Sequence, residues 1–299
     1  MSLILKTTHT RTRETNLIKI IDVQENKGAG HARKVGLENT SGNIIIFIDS
    51  DDLILDKKFL NKIAHYFNQN KDISVVRYEL TTFDTHTKMP VFENKILNHH
   101  IRKLDTEYFF SESSVDFIPT PCCAFKKEIF HKNKFLLNEI NLSVEDYYFF
   151  SALLSLNLTC LITNEVFYGY RINNQNSLTW EMLRKQKEDS KSVLKISEKW
   201  FTSFDDFNIY NSETALDMYI FACINPILIN GYKNVKDSIP SLPSKQQIIN
   251  FCQKYKFSKN KKARILILKM MVSSTFFNFL FSLVIRIYRN FIFKLKVKN

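Results

Sequence analysis

The feature that most constrains the fold is a continuous apolar run, residues 43–48 (NIIIFI), which ends abruptly in Asp49-Ser50-Asp51-Asp52. A strand that is apolar on both faces is typical of a parallel sheet covered by helices on both sides. Ligands of such sheets bind beyond the carboxyl ends of the strands. The three carboxylates therefore follow the strand at the position where a binding site is expected.

Strand and helix patterns alternate around this run. Strand patterns occupy residues 17–23, 43–48 and 73–80, and helix patterns occupy residues 31–39 and 56–68. The order strand, helix, strand, helix, strand predicts an α/β fold. Its sheet is expected to be mainly parallel and Rossmann-like, with helices on both faces.

The second half of the chain is less regular and then becomes helical. Residues 143–156 predict a helix with Glu145 and Asp146 in its first turn, and residues 160–172 predict a strand. Three further helices are predicted, at residues 181–200, 213–229 and 245–255.

Asp49 and Asp51 are the sharpest chemical signal. Carboxylates two positions apart at a strand end can face one small volume, and they repel one another unless a cation lies among them. A hard divalent ion, Mg²⁺ or Mn²⁺, binds carboxylate and phosphate oxygens together and can stabilise a diphosphate leaving group. Alternatively, Asp51 or Asp52 only caps the next helix. His99-His100 is predicted to lie in a loop, since nothing near it in the sequence completes a metal site.

Residues 25–52 (ENKGAGHARKVGLENTSGNIIIFIDSDD) resemble the core signature of family 2 glycosyltransferases. In that family an N-x-G turn, an A-R-x-x-G-L helix and a strand ending in D-S-D-D occur in this order. Residues 144–147 (VEDY) are similar to its E-D element, and residues 168–179 (YGYRINNQNSLT) to its Y-x-Y-R…S-x-T segment. The resemblance covers residues 17–180. It implies a GT-A fold, a nucleotide-sugar donor, a divalent metal and an inverting transfer to a glycan or lipid-linked acceptor.

The resemblance also implies roles for four carboxylates. Asp51 is the principal metal contact, and Asp49 holds the nucleotide ribose or the metal shell. Asp146 is the general base that takes the acceptor's proton, with Glu145 as its neighbour or substitute. Taken without the family, Glu145 and Asp146 are better explained by the favourable placement of negative charge at a helix N-terminus.

Two arginines are candidates for contacts to the donor. Arg33 follows Ala32 in the ARKVGL helix, as the family's arginine does, and is expected to approach the diphosphate or the acidic cluster. A surface salt bridge is the alternative for Arg33. Arg171, in the YGYR segment, is a candidate for contact with phosphate or with a product loop.

The chain departs from the family at its beginning. Family members begin with a strand, a tight turn, a helix and a second strand ending in D-D-G-S, which together hold the nucleotide. Residues 1–14 resemble only the helix that follows this second strand. The expected GT-A fold therefore lacks its first strands. A second hypothesis stays open: an inactive truncated remnant or a non-catalytic subunit of such an enzyme.

The distribution of charge argues against a nucleic-acid binder. Residues 253–299 hold 12 Lys or Arg and no Asp or Glu, and the remaining 30 basic residues are balanced by 30 acidic ones in residues 1–252. A nucleic-acid protein more often spreads its basic residues over its folded surface. The five cysteines show no CxxC spacing, and their odd number does not suit a disulfide framework, which indicates reduced cysteines in a cytosolic protein. The adjacent Cys122 and Cys123 are expected to be buried packing residues, with a reactive pair as the alternative.

The basic residues of the tail flank residues 270–285 (MMVSSTFFNFLFSLVI), an apolar segment rich in Phe. A spanning helix needs about 20 apolar residues, whereas an apolar helix flanked by Lys and Arg suits an anionic membrane surface. The alternative is a C-terminal helix packed on the catalytic domain. We expect a cytoplasmic protein, peripheral on the inner face of the cytoplasmic membrane.

Together these patterns predict three regions. Residues 1–180 form a GT-A catalytic domain, residues 181–260 a helical extension, and residues 261–299 a basic, Phe-rich membrane-associating helix. The expected activity is a metal-dependent bacterial glycosyltransferase of surface polysaccharide or lipooligosaccharide synthesis.

Overall fold

The computed structural model describes most of the chain in separate ranges. They are residues 3–5, 18–23, 27–84, 98–112, 120–133, 145–172, 213–240, 242–274 and 280. The chain divides into two compact units. Unit 1 comprises Met1–Leu104 and Phe117–Leu183, and unit 2 comprises Asp105–Asp116 and Arg184–Asn299.

Unit 1 is built on a mixed β-sheet with helices, so the predicted α/β class is confirmed. Its larger sheet has the strand order β3-β7-β5-β8-β4, with β6 also paired to β8, and β1 pairs with β2 in a separate sheet. The strands are β1 (Leu3–Leu5), β2 (Ile18–Ile20), β3 (Ile44–Ile46), β4 (Leu53–Ile54), β5 (Val75–Phe83), β6 (His99–Leu104), β7 (Cys123–Lys126) and β8 (Leu158–Arg171).

The direction of the strands differs from the prediction. Within the described residues, β5 and β8 are the parallel pair of the larger sheet, and its other four pairings are antiparallel. The expectation of a mainly parallel sheet was therefore wrong. It rested on the apolar character of β3, but only Ile45 of that strand is buried, Ile44 and Ile46 are half-buried, and the neighbouring strand β7 runs antiparallel to it. An apolar run therefore does not by itself determine the direction of the strands.

Two segments predicted to be irregular or helical form strands. Leu3–Leu5 pairs in parallel with Ile18–Ile20, although residues 1–14 were expected to resemble a helix. His99 and His100 open β6, which pairs with β8, so their prediction as loop residues was wrong. The cross-strand hydrogen bonds of these segments come from distant residues, which local sequence does not reveal.

Unit 1 has four helices in its described part. They are α1 (Gly28–Asn39), α2 (Phe59–Gln69), α3 (Glu128–Lys132) and α4 (Glu145–Ser155). Three of them, α2, α3 and α4, contribute aromatic side chains to the core. Phe59, Ile63 and Phe67 of α2 are buried at helical spacing, within the helix predicted at residues 56–68. On another part of the sheet, the ring of Phe149 in α4 packs edge-on against that of Phe125 in β7.

Unit 2 is helical in its described part. Its helices are α5 (Glu213–Asn230), α6 (Tyr232–Ser238), α7 (Lys245–Lys254) and α8 (Lys259–Ser273). Phe110, from a segment distant in sequence, is fully buried among aromatic rings that include Phe221, Phe251 and Tyr255. The predicted helices at 213–229 and 245–255 are confirmed, whereas residues 181–200 lie outside the described part of the chain.

The predicted tail begins inside the folded unit. Lys261 is fully buried, and its Nζ donates a hydrogen bond of 2.8 Å to the carbonyl oxygen of Phe109. Leu268 and Met271 of α8 are buried as well. Residues 275–279 and 281–299 lie outside the described residues. Among the helices that are described, none combines the length and apolar character that crossing a membrane requires.

The cysteines are all free thiols, and four of the five are buried. Burial raises the pKa of Cys160 to about 12, which keeps the less reactive thiol form. Cys122 and Cys123 are both buried, as predicted.

Candidate active site

The acidic residues after β3 form one tight turn. The backbone N–H of Asp52 donates to the carbonyl oxygen of Asp49 at 3.2 Å, which closes a four-residue turn over Asp49-Ser50-Asp51-Asp52. We call these four residues the acidic turn. Strand β4 follows it at once and pairs with Tyr168 and Gly169 of β8. The end of β8 therefore lies beside the acidic turn, although 116 residues separate Asp52 from Tyr168 in sequence.

Arg33 of α1 binds the first carboxylate of the turn. Its Nη2 lies 3.1 Å from Oδ1 of Asp49, and the Arg33 side chain is 11 % exposed whereas that of Asp49 is 37 % exposed. The structure therefore brings Arg33 to the acidic cluster, which is one of the two places predicted for it. The pair is shielded on the arginine side and open to solvent on the carboxylate side.

Tyr168 bonds both ends of the acidic turn. Its hydroxyl donates to Oδ2 of Asp52 at 2.6 Å and accepts from the backbone N–H of Asp49 at 3.1 Å. The Tyr168 ring is fully buried on β8. One phenol therefore fixes the spacing between the first and last residues of the turn.

Arg171 adds two further bonds from β8. Its backbone N–H donates to Oδ1 of Asp52 at 2.8 Å, and its Nε donates to the carbonyl oxygen of Asp51 at 2.6 Å. The guanidinium carbon of Arg171 also lies 5.3 Å from the centroid of the Phe83 ring. The structure thus places Arg171 at the backbone of the acidic turn. Its predicted contact with phosphate stays a prediction.

The electrostatics of the turn follow from burial and from crowding of like charges. Burial raises the pKa of Asp52 to about 6, with the carboxylates of Asp51 and Asp49 adding to the effect, while the bonds from Arg171 and Tyr168 oppose it. Burial and the neighbouring Asp49 and Asp52 raise the pKa of Tyr168 well above its usual value. The phenol therefore stays protonated and acts as a hydrogen-bond donor.

The donor set of the turn suits a hard divalent cation shared with a phosphate. No group of three His, Cys, Asp or Glu side chains with metal-binding geometry occurs in the described ranges. Mg²⁺ sites that also bind substrate phosphates need only one or two protein carboxylates. Asp49 and Asp51 could supply these, whereas both carboxylate oxygens of Asp52 already accept hydrogen bonds from β8.

The two candidate general bases lie at the start of α4. That helix begins at Glu145, so Glu145 and Asp146 occupy its first turn, as predicted. Their side-chain positions lie outside the described part of the structure. Their roles therefore stay predictions.

Comparison with known proteins assigns a family to the part of the chain that contains the acidic turn. Residues 4–133 match the family described as glycosyl transferase family 2. This segment is a family 2 glycosyltransferase domain. It contains Arg33 and the acidic turn, whereas Glu145, Asp146, Tyr168 and Arg171 follow it in the chain. The match agrees with the GT-A fold expected for this region.

A curated relative matches part of the chain. The chain is 29 % identical over 92 residues to the amylovoran biosynthesis glycosyltransferase AmsE of Erwinia amylovora. The match covers 28 % of this chain and 34 % of AmsE. The chain thus matches about a third of the length of that relative.

Solved structures of TarS from S. aureus overlay on the chain more broadly but loosely. TarS 1–349 is 15 % identical with a TM-score of 0.42, covering 85 % of this chain and 74 % of that one. TarS 1–349 in complex with UDP is 16 % identical with a TM-score of 0.41, at the same coverage. These overlays are too loose to assign any residue of the glycosyltransferase domain.

Sequence reasoning missed Tyr168 as a site residue. The YGYR segment pointed to this part of the chain but drew attention to Arg171, because charge is easier to connect with phosphate than a phenol is. The available signal was the aromatic residue three positions before that arginine, near the end of a predicted strand. Only the pairing of β4 with β8 shows that its hydroxyl reaches the acidic turn.

Proposed function

We propose that this chain transfers a sugar from a nucleotide-diphosphate donor to a glycan or lipid-linked acceptor in bacterial surface polysaccharide or lipooligosaccharide synthesis. The observation that carries the proposal is the acidic turn beside Arg33, within a segment matched to glycosyl transferase family 2. The partial match to AmsE, whose name places it in amylovoran biosynthesis, supports a polysaccharide product.

In the proposed site, the carboxylates of the acidic turn and two arginines would bind the donor. Asp51 and Asp49 would hold a divalent cation, which when bound stabilises the negative charge of the leaving diphosphate. Arg33 lies at Asp49 and could bond the same diphosphate. Arg171 stands at the backbone of Asp51, so it orients the turn and could extend to phosphate.

The proposed transfer proceeds with inversion. The acceptor oxygen forms a bond to the anomeric carbon while the bond from that carbon to the diphosphate oxygen breaks, and the diphosphate leaves with the electron pair. The acceptor's proton passes to the carboxylate of Asp146, with Glu145 as the alternative base. The support for these two residues is their place at the start of α4 and their similarity to the E-D element of the family.

A peripheral location of the protein on the inner face of the cytoplasmic membrane fits this function. Lys259, Lys262 and Leu266 are exposed on α8 at helical spacing, and Leu266 is 58 % exposed. We call these three residues the basic stripe. A surface with lysines around an exposed leucine suits anionic headgroups with shallow apolar insertion. Residues 253–299 carry no acidic side chain that would oppose this contact.

Donor cleavage by the full chain tests the proposed activity without knowledge of the acceptor. The chain is incubated with Mn²⁺ and, separately, with UDP-, GDP- and CDP-sugars, and nucleoside diphosphate release to water is measured. Release from one donor, dependent on Mn²⁺ and lost in Asp51→Asn, is the expected result. If no donor is bound or cleaved while the chain is folded, the non-catalytic alternative is favoured.

A further inference from the structure

The three carboxylates of the acidic turn are not equivalent. Asp52 has both oxygens bonded to β8, Oδ2 to the Tyr168 hydroxyl and Oδ1 to the Arg171 backbone N–H. Asp49 bonds the side chain of Arg33 and is more than a third exposed. The turn therefore has an inward carboxylate fixed to the sheet and an outward carboxylate that a ligand can reach.

The Tyr168 hydroxyl connects these two ends. Besides donating to Asp52, it accepts the backbone N–H of Asp49, and the turn's own bond runs from the Asp52 N–H to the Asp49 carbonyl oxygen. Two of these three hydrogen bonds run through the phenol, and the third joins Asp49 and Asp52 directly, so the backbone of the turn at Asp49 depends on the position of that ring.

The ring itself is fixed by the strand that carries it. Tyr168 is fully buried, and β8 is paired with β4 at Tyr168 and with β5 along its length. Gly169, the next residue, allows close approach on this strand, since a Cβ there would lie 3.0 Å from Cδ2 of Leu55 and 3.3 Å from Cδ1 of Phe83. The anchor is thus part of the sheet and not of a loop.

We propose that Tyr168 and Asp52 are positioning residues that fix the acidic turn in the geometry with which Asp49 and Asp51 receive a divalent cation and a diphosphate. This inference rests on the proposed function and deepens it. Neither residue contacts the reacting atoms in this account. Asp52, the last residue of the D-S-D-D element, anchors the turn to β8. The Tyr168 hydroxyl holds the turn in one conformation, so a ligand does not have to order the turn when it binds.

Tyr168→Phe is the direct test, because it removes the hydroxyl and keeps the buried ring. Tyr170→Phe, two residues along the same strand, is the matched control. The first readout is amide hydrogen exchange of ligand-free protein in peptides covering residues 44–54. The second is calorimetric binding of UDP with Mn²⁺ to the full chain. Thermal unfolding checks that each variant is folded.

The expected result is faster exchange confined to the acidic turn and UDP–Mn²⁺ affinity lowered about tenfold, as for loss of a hydrogen bond to a charged group. Tyr170→Phe should match the parent in both readouts. If the positions act as one unit, Tyr168→Phe combined with Asp52→Asn should lose no more affinity than the worse single variant.

The two proposals fail in different ways. A parent that binds neither UDP nor the other nucleoside diphosphates with Mn²⁺ contradicts the proposed function, and hydrogen exchange alone then decides whether Tyr168 fixes the turn. Unchanged exchange at residues 44–54 in Tyr168→Phe overturns the positioning role. Parent-like UDP–Mn²⁺ affinity in that variant, with the parent binding normally, overturns it as well.

Discussion

The guanidinium of Arg33 lies 3.1 Å from the carboxylate of Asp49, the first of the two carboxylates proposed to hold the divalent cation. This pairing has opposite consequences for the two proposed ligands. Arg33 competes with a free cation for Asp49, yet it favours an anionic diphosphate. The two effects can be measured separately.

Arg33→Gln should therefore change the two affinities in opposite directions. Without nucleotide, the affinity for Mn²⁺ should rise several-fold, because Asp49 loses its internal partner. Affinity for a nucleoside diphosphate with Mn²⁺ should fall by about tenfold, since a charge-assisted bond is lost. Calorimetry measures both. Lys57→Gln, at an exposed site, controls for the change in net charge. Equal losses of both affinities would instead indicate that Arg33 only stabilises the fold.

Asp51→Asn should abolish Mn²⁺-dependent donor binding and leave thermal unfolding near that of the parent. The replacement removes a negative charge from a cation site while it keeps the side-chain size. Asp72→Asn is the better control, since Asp72 is exposed. Asp56 is less suitable because it pairs with Lys62 at 3.0 Å. Tight Mn²⁺ binding by Asp51→Asn would remove Asp51 from the metal site.

Asp146→Asn should lower turnover by orders of magnitude and retain donor affinity, because a general base acts on the acceptor. Glu145→Gln should have a smaller effect if Glu145 is only a neighbour. Steady-state rates and calorimetric donor binding, measured on the same preparations, separate the two steps. Turnover of Asp146→Asn within a few-fold of the parent would contradict its role, and a larger loss in Glu145→Gln would transfer the role to Glu145.

A second polar cluster in unit 1 should affect stability and not donor binding. Glu165 is buried on β8 and bonds Lys62 Nζ at 2.5 Å as well as the Tyr66 hydroxyl of the same helix, α2. Glu165→Gln should lower the free energy of unfolding by about 1.5–3 kcal/mol, the range for hydrogen bonds to a charged group. Denaturant unfolding measures the loss. Nucleotide affinity should be unchanged, and a loss there without a change in stability would show that the cluster belongs to the site.

The basic stripe should bind anionic membranes. Full-length protein should sediment with phosphatidylglycerol vesicles and not with phosphatidylcholine vesicles, and Leu266→Asp should reduce this binding. Leu60→Asp is the matched control, since Leu60 is 39 % exposed on a helix of unit 1. Binding that is equal in both variants and parent would locate the membrane contact outside α8, and absence of binding by the parent would contradict peripheral association.

Deletion of the tail is a sharper experiment when it respects the boundary of α8. Removal of residues 261–299 would take away the buried side chains of Lys261, Leu268 and Met271 and so disrupt unit 2. Removal of residues 275–299 keeps α8 intact. Vesicle binding should then fall in part, because the Phe-rich segment is lost while the basic stripe remains.

The sequence alone determined the α/β class, the helix pattern of α2 and the concentration of carboxylates after β3. These follow from local rules: apolar spacing decides which face of a helix is buried, and an apolar run followed by polar residues marks where a strand ends. Arg33 was identified as a candidate partner of the acidic cluster by the resemblance of its helix to the A-R-x-x-G-L element of family 2 glycosyltransferases.

Only the tertiary structure decided strand direction and the anchoring of the acidic turn. Strand β7 inserts between β3 and β5, and a 14-residue β8 brings Tyr168 and Arg171 to Asp52. The contacts of Tyr168 and Arg171 with Asp52 join residues more than 100 positions apart. Their hydrogen bonds depend on which strands pair, and packing of the whole core determines that pairing. Carboxylates that look alike in the motif therefore differ in the fold: burial and β8 fix Asp52 inward, while Asp49 faces Arg33 and solvent.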